Sequence, residues 1–94
     1  MTFEEAIRSF ELHLRAERNL SPHTRRAYLS DVRQFAESVG TTTAPDAVRV
    51  DDVRGFLSDR HRRQSPTTLG RKLAALRSFF RFLVREGQRE ADPS

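Results

Sequence analysis

Apolar residues recur along the chain at the three- and four-residue spacing of an α-helix, in four separate stretches. The best strand candidate, Thr41-Thr42-Thr43, is too short and is flanked by Gly40 and Pro45. The pattern therefore predicts an all-α fold. Its helices are predicted from about Phe3 to Arg18, from Ser21 to just before Gly40, from an N-cap near Asp51 to about Arg62, and from Ser65 to Glu86 with Gly87 as the stop.

Each predicted helix has one apolar stripe, and the four stripes together define the expected core. A chain of 94 residues buries only about 65% of its unfolded surface, so we expect one small domain with a modest core. The seven phenylalanines contribute to it. The stripe residues are Phe3, Ile7, Phe10 and Leu14; Tyr28, Val32, Phe35 and Val39; Val53, Phe56 and Leu57; and Leu69, Leu73, Leu76, Phe80 and Leu83.

Composition excludes several kinds of site. The chain has no cysteine, so neither a disulfide framework nor a cysteine-based zinc site is possible. Its three histidines, at positions 13, 23 and 61, are not spaced as metal ligands. No apolar run approaches the length of a membrane span, and Glu4 and Glu5 stand where a signal peptide would be basic. We expect a cytoplasmic protein that takes no cofactor and has no membrane partner.

No group of residues is arranged for catalysis. Carboxylates are adjacent at Glu4-Glu5 and at Asp51-Asp52, but neighbouring side chains on a helix point about 100° apart, so neither pair forms a catalytic dyad. The only tyrosine, Tyr28, lies within an apolar stripe, as a core residue would. There is also no glycine-rich phosphate loop. We therefore expect that this chain alone is not an enzyme.

The tetrapeptide Ser-Pro-X-Thr occurs twice, 44 residues apart, at Ser21 and at Ser65. Serine at the N-cap and proline at the first helical position form a strong helix-start signal. The N-terminus of a helix carries free N–H groups and partial positive charge, which attract phosphate. Two such starts, each followed by arginines, indicate a pair of helices aimed at a nucleic-acid backbone.

Charge is unevenly distributed along the chain, whose net charge is +4. Residues 3–17 hold four acids and two arginines, whereas residues 60–85 hold eight basic residues and no acid. A block of one sign on a folded helix is typical of a surface that binds a polyanion. The residues opposite the apolar stripes are Arg26, Ser30 and Arg33 on the second helix, and Thr67, Arg71, Ala74, Ser78, Arg81 and Arg85 on the fourth.

Two ordered segments of the chain follow a known pattern. They are Phe10-x-x-x-Leu14…Glu17-Arg18-Asn19-Leu20-Ser21-Pro22-His23-Thr24-x-x-x-Tyr28-x-x-Asp31-x-x-x-Phe35 and Ser65-x-x-Thr68-x-x-Arg71-x-Leu73-x-Ala75-Leu76-Arg77-Ser78-Phe79-Phe80-Arg81-Phe82-Leu83. Together they resemble the N-terminal core-binding domain of tyrosine recombinases of the Xer and phage-integrase type. The resemblance implies a four-helix SAM-like orthogonal bundle. Such a domain forms half of a clamp around DNA, with its second and fourth helices at the major groove of a recombination half-site.

The same resemblance assigns roles to residues. It implies that residues 1–90 bind DNA and that residues 91–94 begin a linker to a catalytic domain that lies outside this sequence. Hydroxyls of Thr24 and Thr68 would meet phosphates, and Arg26 and Arg71 are the candidates for guanine edges. Ala75 also matches a DNA-facing position of the family, at which some relatives have a longer polar residue. The expected DNA-binding residues are Thr24, Arg26, Ser30, Arg33, Thr67, Thr68 and Arg71, with Lys72 and Arg77 at the edges as phosphate contacts.

Two other classes of protein are compatible with a basic helical domain. A helix-turn-helix regulator would show a short unit of two helices, whereas the basic helices here are separated by a loop and a further helix. A protein-interaction module would expose an apolar patch, for which Leu12, Ala16 and Phe82 are the candidates. In the recombinase interpretation the partners are double-stranded DNA and, through the full-length protein, other recombinase protomers. We expect the isolated domain to be monomeric.

Overall fold

A computed structural model shows four α-helices and describes residues 1–17, 19–40, 43–61 and 63–87. All regular structure in these ranges is helical, which confirms the predicted fold class. The segment 91–94, predicted to begin a linker, lies outside the described residues. The helices are α1 (Phe3–Ala16), α2 (Pro22–Val39), α3 (Val50–Arg60) and α4 (Pro66–Arg85), with one 3₁₀ turn (Pro45–Ala47) between α2 and α3.

The ends of three helices follow the local sequence signals. At the start of α1, the Glu5 N–H donates to Thr2 Oγ1 at 3.2 Å and the Thr2 N–H donates to Glu5 Oε1 at 3.3 Å. These reciprocal bonds form a capping box, and the hydrogen bonds from Thr2 lower the pKa of Glu5. Gly40 and Gly87 have φ angles of 94° and 71°, which favour glycine, so α2 and α4 end where predicted.

The start of α3 differs from the prediction, because Arg49 and not Asp51 occupies the N-cap position. The Arg49 N–H donates to Oδ2 of Asp52 at 2.9 Å, which satisfies one backbone donor at the helix start. An arginine side chain has no acceptor, so Arg49 cannot return a bond as serine would. Asp51 lies in the first turn, where negative charge interacts favourably with the helix dipole.

All seven phenylalanines are buried, and Phe35 of α2 is at their centre. Its ring makes edge contacts with Phe3 of α1, Phe56 of α3 and Phe80 of α4, at centroid distances of 6.3, 5.3 and 6.0 Å. Edge-to-face pairs at these distances stabilise a core beyond the area they bury. One side chain of α2 therefore joins all four helices.

The buried surface of α4 is wider than the predicted stripe, because α1, α2 and α3 all pack against this helix. Leu69 and Leu73 are only half-buried. Phe82 is 6% exposed and packs on Phe10 and His13, so it belongs to the core and not to an exposed apolar patch. The buried residues of α4 are Lys72, Ala75, Leu76, Phe79, Phe80, Phe82 and Leu83. The match of Ala75 to a DNA-facing position is therefore wrong, because its side chain is in the core.

Candidate nucleic-acid interface

The two Ser-Pro-X-Thr helix starts have the same geometry. The Thr24 N–H donates to Ser21 Oγ at 3.1 Å, and the Thr68 N–H donates to Ser65 Oγ at 3.2 Å. In each case the serine hydroxyl also donates to the threonine hydroxyl, at 3.0 Å. The predicted N-caps of α2 and α4 are therefore confirmed.

This capping leaves little of either helix start free for an anion. Pro22 and Pro66 have no N–H, and the N–H groups of Thr24 and Thr68 are already bonded to serine. Among the first three residues of each helix, only the second, His23 or Thr67, has an N–H without a hydrogen-bond acceptor in the described structure. A phosphate at either start would be held by one N–H and nearby hydroxyls, and not by an open row of amides.

On α2, the predicted residues Arg26, Ser30 and Arg33 are all exposed. Arg33 lines an open cavity of about 570 Å³ where α1 and α2 meet, and Glu4 and Glu37 line the same cavity. Arg8 lines the cavity as well and pairs with Glu4 at 2.9 Å. Carboxylates near a guanidinium weaken its attraction for phosphate, and a second guanidinium offsets part of that effect. Arg33 is thus on the side of α2 that faces α1, in surroundings of mixed charge.

A buried ion cluster joins α2 to α4. Arg71 of α4 donates through Nε to Oδ2 of Asp31 at 2.9 Å and through Nη2 to Oδ1 at 3.0 Å. Lys72 Nζ donates to the same Oδ1 at 2.8 Å. Asp31 is 0% exposed, so its carboxylate depends on these three bonds. Asp31 lies in the N-terminal half of the chain, whereas Arg71 and Lys72 lie in the C-terminal half.

The cluster extends further along α2. Lys72 Nζ also donates to Gln34 Oε1 at 2.8 Å, and Gln34 Nε2 donates to Ser30 Oγ at 3.2 Å. Of the predicted site residues, Ser30, Arg71 and Lys72 are therefore brought together across the α2–α4 contact. Within the described residues, no hydrogen bond or ion pair joins Arg26, Arg33 or Arg77 to this cluster.

The expected position of Lys72 at the edge of the exposed face is wrong. Its side chain is 2% exposed, and its ammonium group is held between Asp31 and Gln34. A phosphate could reach this group only by breaking bonds that keep the buried Asp31 carboxylate paired. Lys72 lies one position along the helix from Arg71, and that rotation of about 100° turns it toward α2.

Arg71 is both a member of the cluster and a surface residue. Its side chain is 43% exposed, and the hydrogen bonds to Asp31 raise the pKa of its guanidinium further. Only the Nε–Nη2 edge of the guanidinium is used by Asp31. The group therefore remains a cation at every physiological pH and still has donors on its other edge.

The C-terminal half of α4 carries a row of cations. Arg77, Arg81 and Arg85 are exposed and follow one another at four-residue intervals, so they lie along one side of the helix. In all, α4 has five basic residues and no acid, whereas α1 and α3 each have three acids and two arginines. Positive surface charge is therefore concentrated on α4.

Asp31 and Gln34 are the residues that sequence reasoning missed. The available signal was the position of Asp31, three residues after Tyr28 and four before Phe35, which places an acid at the border of an apolar stripe. A carboxylate in that position needs a partner from a neighbouring helix. Basic partners for it are most numerous in residues 60–85, a block of the sequence without any acid.

Two further features bear on the kind of site. Within the described ranges, no three His, Cys, Asp or Glu side chains are grouped so that they could hold a metal ion. In the same part of the chain, each helix is too short or too polar to cross a membrane.

Residues 7–87 match the family model for the phage integrase N-terminal SAM-like domain. The chain belongs to this family. Tyrosine recombinase XerC of Pelobacter propionicus is 46% identical over 95 residues, covering 96% of this chain and 31% of that protein. The XerC proteins of Roseiflexus castenholzii and Syntrophus aciditrophicus are 42% and 38% identical, each over 96% of this chain.

The family match confirms the resemblance carried by the two Ser-Pro segments and the SAM-like assignment of the helical fold. The chain spans about a third of the length of these relatives, 30% to 32% of each. No solved structure is significantly similar to it.

Proposed function

We propose that this chain is the DNA-binding N-terminal domain of a site-specific tyrosine recombinase and that it grips a recombination half-site through α2 and α4. The observation that carries the proposal is the charge of α4, which has five basic residues and no acid in a family domain whose relatives are named tyrosine recombinases. The single buried acid that faces α4, Asp31, offsets only one of those charges. The remaining positive charge is available to a polyanion.

Each exposed residue would have a distinct role. Arg26 and the outer edge of Arg71 would meet guanine O6 and N7 in the major groove. Arg77 would supply charge to phosphates, and Arg33 would do so more weakly because of its carboxylate neighbours. The remaining contacts with phosphate, which set register and not sequence, would come from Thr24, Ser30, Thr67 and Thr68.

The rest of the parent protein would carry out the chemistry. The curated relatives are about three times as long as this chain, which covers 31% of the Pelobacter protein. We assign strand cleavage and assembly with other protomers to the part beyond this domain, with residues 91–94 beginning the linker. The domain alone would be a non-catalytic monomer that binds double-stranded DNA in the cytoplasm.

The distribution of apolar surface disfavours a protein-interaction module. The large apolar side chains that are exposed in the described structure are Met1, Leu12 and Val50, which belong to the N-terminus, the middle of α1 and the start of α3. An interaction module would need a contiguous apolar patch. Phe82, the aromatic candidate for such a patch, is in the core.

The test begins with selection of duplexes from a random pool, followed by anisotropy titrations of a selected and a scrambled duplex at two salt concentrations. If five phosphates are neutralised, log K should fall against log salt with a slope of about −4.5. Arg26→Ala and Arg71→Ala test the contributions of α2 and α4 to this binding. Arg54→Ala is their matched control, because Arg54 is an exposed arginine on α3.

The outcomes separate the parts of the proposal. Salt-sensitive binding that prefers the selected duplex supports base contacts from α2 and α4. Equal, salt-sensitive binding to both duplexes retains DNA binding but overturns half-site recognition by this domain. Absent or salt-independent binding overturns the DNA-binding function and leaves the interaction module as the better explanation.

A further inference from the structure

Arg71 is held in one orientation before any ligand binds. Its Nε and Nη2 donate to the two carboxylate oxygens of Asp31 at 2.9 and 3.0 Å, which is a bidentate pair. Asp31 is fixed in turn, because it is 0% exposed and accepts a third bond from Lys72 at 2.8 Å. The same ammonium group also donates to Gln34 Oε1, at 2.8 Å. The buried Lys72 therefore fixes the carboxylate that holds the guanidinium, and Gln34 in turn fixes Lys72.

The bond pattern leaves one edge of the guanidinium free. A guanidinium has five N–H donors in a rigid planar fork. The pair with Asp31 uses Nε–H and one hydrogen of Nη2, so both hydrogens of Nη1 and the second of Nη2 remain. The Arg71 side chain is 43% exposed while Asp31 is fully buried, and no hydrogen bond among the described residues uses this second edge. Its two adjacent nitrogens match a pair of acceptors.

We propose that Asp31 is a positioning residue for DNA recognition, because it holds Arg71 so that the Nη1–Nη2 edge is presented to two acceptors on DNA. Those acceptors are O6 and N7 of a guanine or two phosphate oxygens. The inference rests on the proposed function and adds to it the residues that orient the Arg71 guanidinium. Lys72 acts one step further back by donating to Asp31, and Gln34 holds the Lys72 ammonium group.

Preorganisation gives this arrangement its advantage. A free arginine loses rotamer freedom when it binds, and that loss reduces affinity. Arg71 has already lost most of this freedom on folding, since its head group is bound at two atoms. The cluster also remains attractive to DNA, because two cations face one carboxylate.

Electrostatics and positioning make opposite predictions for Asp31→Asn. If Asp31 contributes only a negative charge, removing it strengthens binding to every duplex and steepens the salt dependence. If Asp31 positions Arg71, the variant releases the fork and weakens binding despite the gain in net charge. Glu37→Gln is the matched control, because Glu37 is an exposed acid on the same helix and undergoes the same change of charge.

The experiment compares the wild-type domain, Asp31→Asn, Arg71→Ala and the double variant on the selected and scrambled duplexes. We expect Asp31→Asn to weaken binding of the selected duplex by about tenfold or more, which is the size of effect that losing one bidentate contact has. In the Arg71→Ala background the same change should have no further effect, because its action passes through Arg71. Affinity that is unchanged or raised on both duplexes overturns the proposal.

A second pair of measurements guards against misfolding. Asp31→Asn leaves Lys72 buried without its charged partner, so the variant Asp31→Asn with Lys72→Met removes both charges together. Independently of DNA, the Arg71 Nε–H should give an NMR signal that exchanges slowly with water in the wild-type domain and rapidly in this double variant. Exchange as fast as that of exposed Arg26 in the wild-type domain overturns the proposal.

Two probes distinguish the two sources of acceptors. A selected duplex with 7-deazaguanine lacks the N7 acceptor, so wild-type affinity should fall and Arg71→Ala should be insensitive if the contact is to guanine. A phosphate contact instead gives an equal loss on selected and scrambled duplexes and a shallower salt slope for Asp31→Asn. Either result supports positioning by Asp31, whereas failure of the wild-type domain to bind any duplex overturns the proposed function and this inference together.

Discussion

Helices α2 and α4 begin alike and differ after one turn. Both start with Ser-Pro-X-Thr, and their capping bonds agree to within 0.1 Å. Counted from the capping serine, the tenth following residue is Asp31 in α2 and Ala75 in α4. The sixth and seventh are Ala27 and Tyr28 in α2, but the cations Arg71 and Lys72 in α4. The same local signal therefore opens two helices that supply opposite charges at one point of their contact, Asp31 from α2 and the two cations from α4.

This difference changes how two similar arginines behave. Arg26 and Arg71 both follow a Ser-Pro start and both lie opposite the predicted apolar stripe. Arg26 is exposed, with no ion pair among the described residues, whereas Arg71 is bound to a buried carboxylate. A free arginine must be ordered when it meets DNA, and a bound one is ordered in advance. Position on a helix predicts exposure, but only the partner helix decides preorganisation.

The largest expected effect is on folding. Asp31→Ala leaves the Lys72 ammonium buried without its charged partner, so we expect the free energy of unfolding to fall by about 3–5 kcal/mol. Urea denaturation measures this loss. Glu37→Ala, an exposed acid on the same helix, should change stability by less than about 0.5 kcal/mol. Equal effects of the two substitutions would show that the cluster contributes nothing to the α2–α4 contact.

Truncation of the two arginines should separate binding from stability. Arg26→Ala and Arg71→Ala should each weaken binding to the selected duplex by about 1–3 kcal/mol if each contacts guanine. Only Arg71→Ala should also lower the unfolding free energy, by about 1–2 kcal/mol, since it removes a partly exposed ion pair. Anisotropy titration and urea denaturation of the same samples give both quantities. Similar losses of stability for both variants would remove the distinction drawn between them.

The similarity of the two helix starts can be tested directly. Ser21→Ala and Ser65→Ala each remove one side-chain cap, so each should destabilise the domain by about 1 kcal/mol. The two losses should agree, because the bonds have the same geometry. Thermal or urea unfolding measures them, with Ser58→Ala as the control, because Ser58 is an exposed serine of α3. Clearly unequal losses would mean that tertiary packing and not the local cap determines one of the starts.

The smallest expected effect concerns the pH dependence of stability and distinguishes α1 from α2 and α4. The folded pKa of Glu5 is lowered from its ordinary value of 4.5 by its hydrogen bonds with Thr2. Its contribution to stability is therefore present above the ordinary value and is lost as pH falls through the lower folded value. The first turns of α2 and α4 contain no acid, so their caps should not respond to this change.

Glu5→Gln should flatten the dependence of the melting temperature on pH in this acidic range. Glu4→Gln removes a neighbouring acid of the same first turn without touching the capping box, so it should leave that part of the dependence in place. Identical pH profiles for Glu5→Gln and the wild-type domain would contradict the role given to the Thr2–Glu5 bonds.

Much of the fold could be predicted because its signals are local. The capping serines, the apolar stripes and the terminal glycines each act within a few residues, so the helices and most of the core followed from spacing alone. The start of α3 was misplaced because Arg49 is not a usual cap, and a carboxylate three residues later takes over the capping bond. The candidate site was predicted less completely, since a helical wheel shows which side of a helix a residue is on but not which element covers that side.

The sequence by itself determined four helices, their capped starts, a phenylalanine-rich core and an excess of positive charge on the last helix. The tertiary structure decided what the charges do. Arg71 and Lys72 are 40 and 41 residues from Asp31 along the chain, and only the packing of α2 against α4 brings them into contact. Burial then turns Lys72 into a structural residue and Arg71 into an oriented one, because a carboxylate removed from water must be paired.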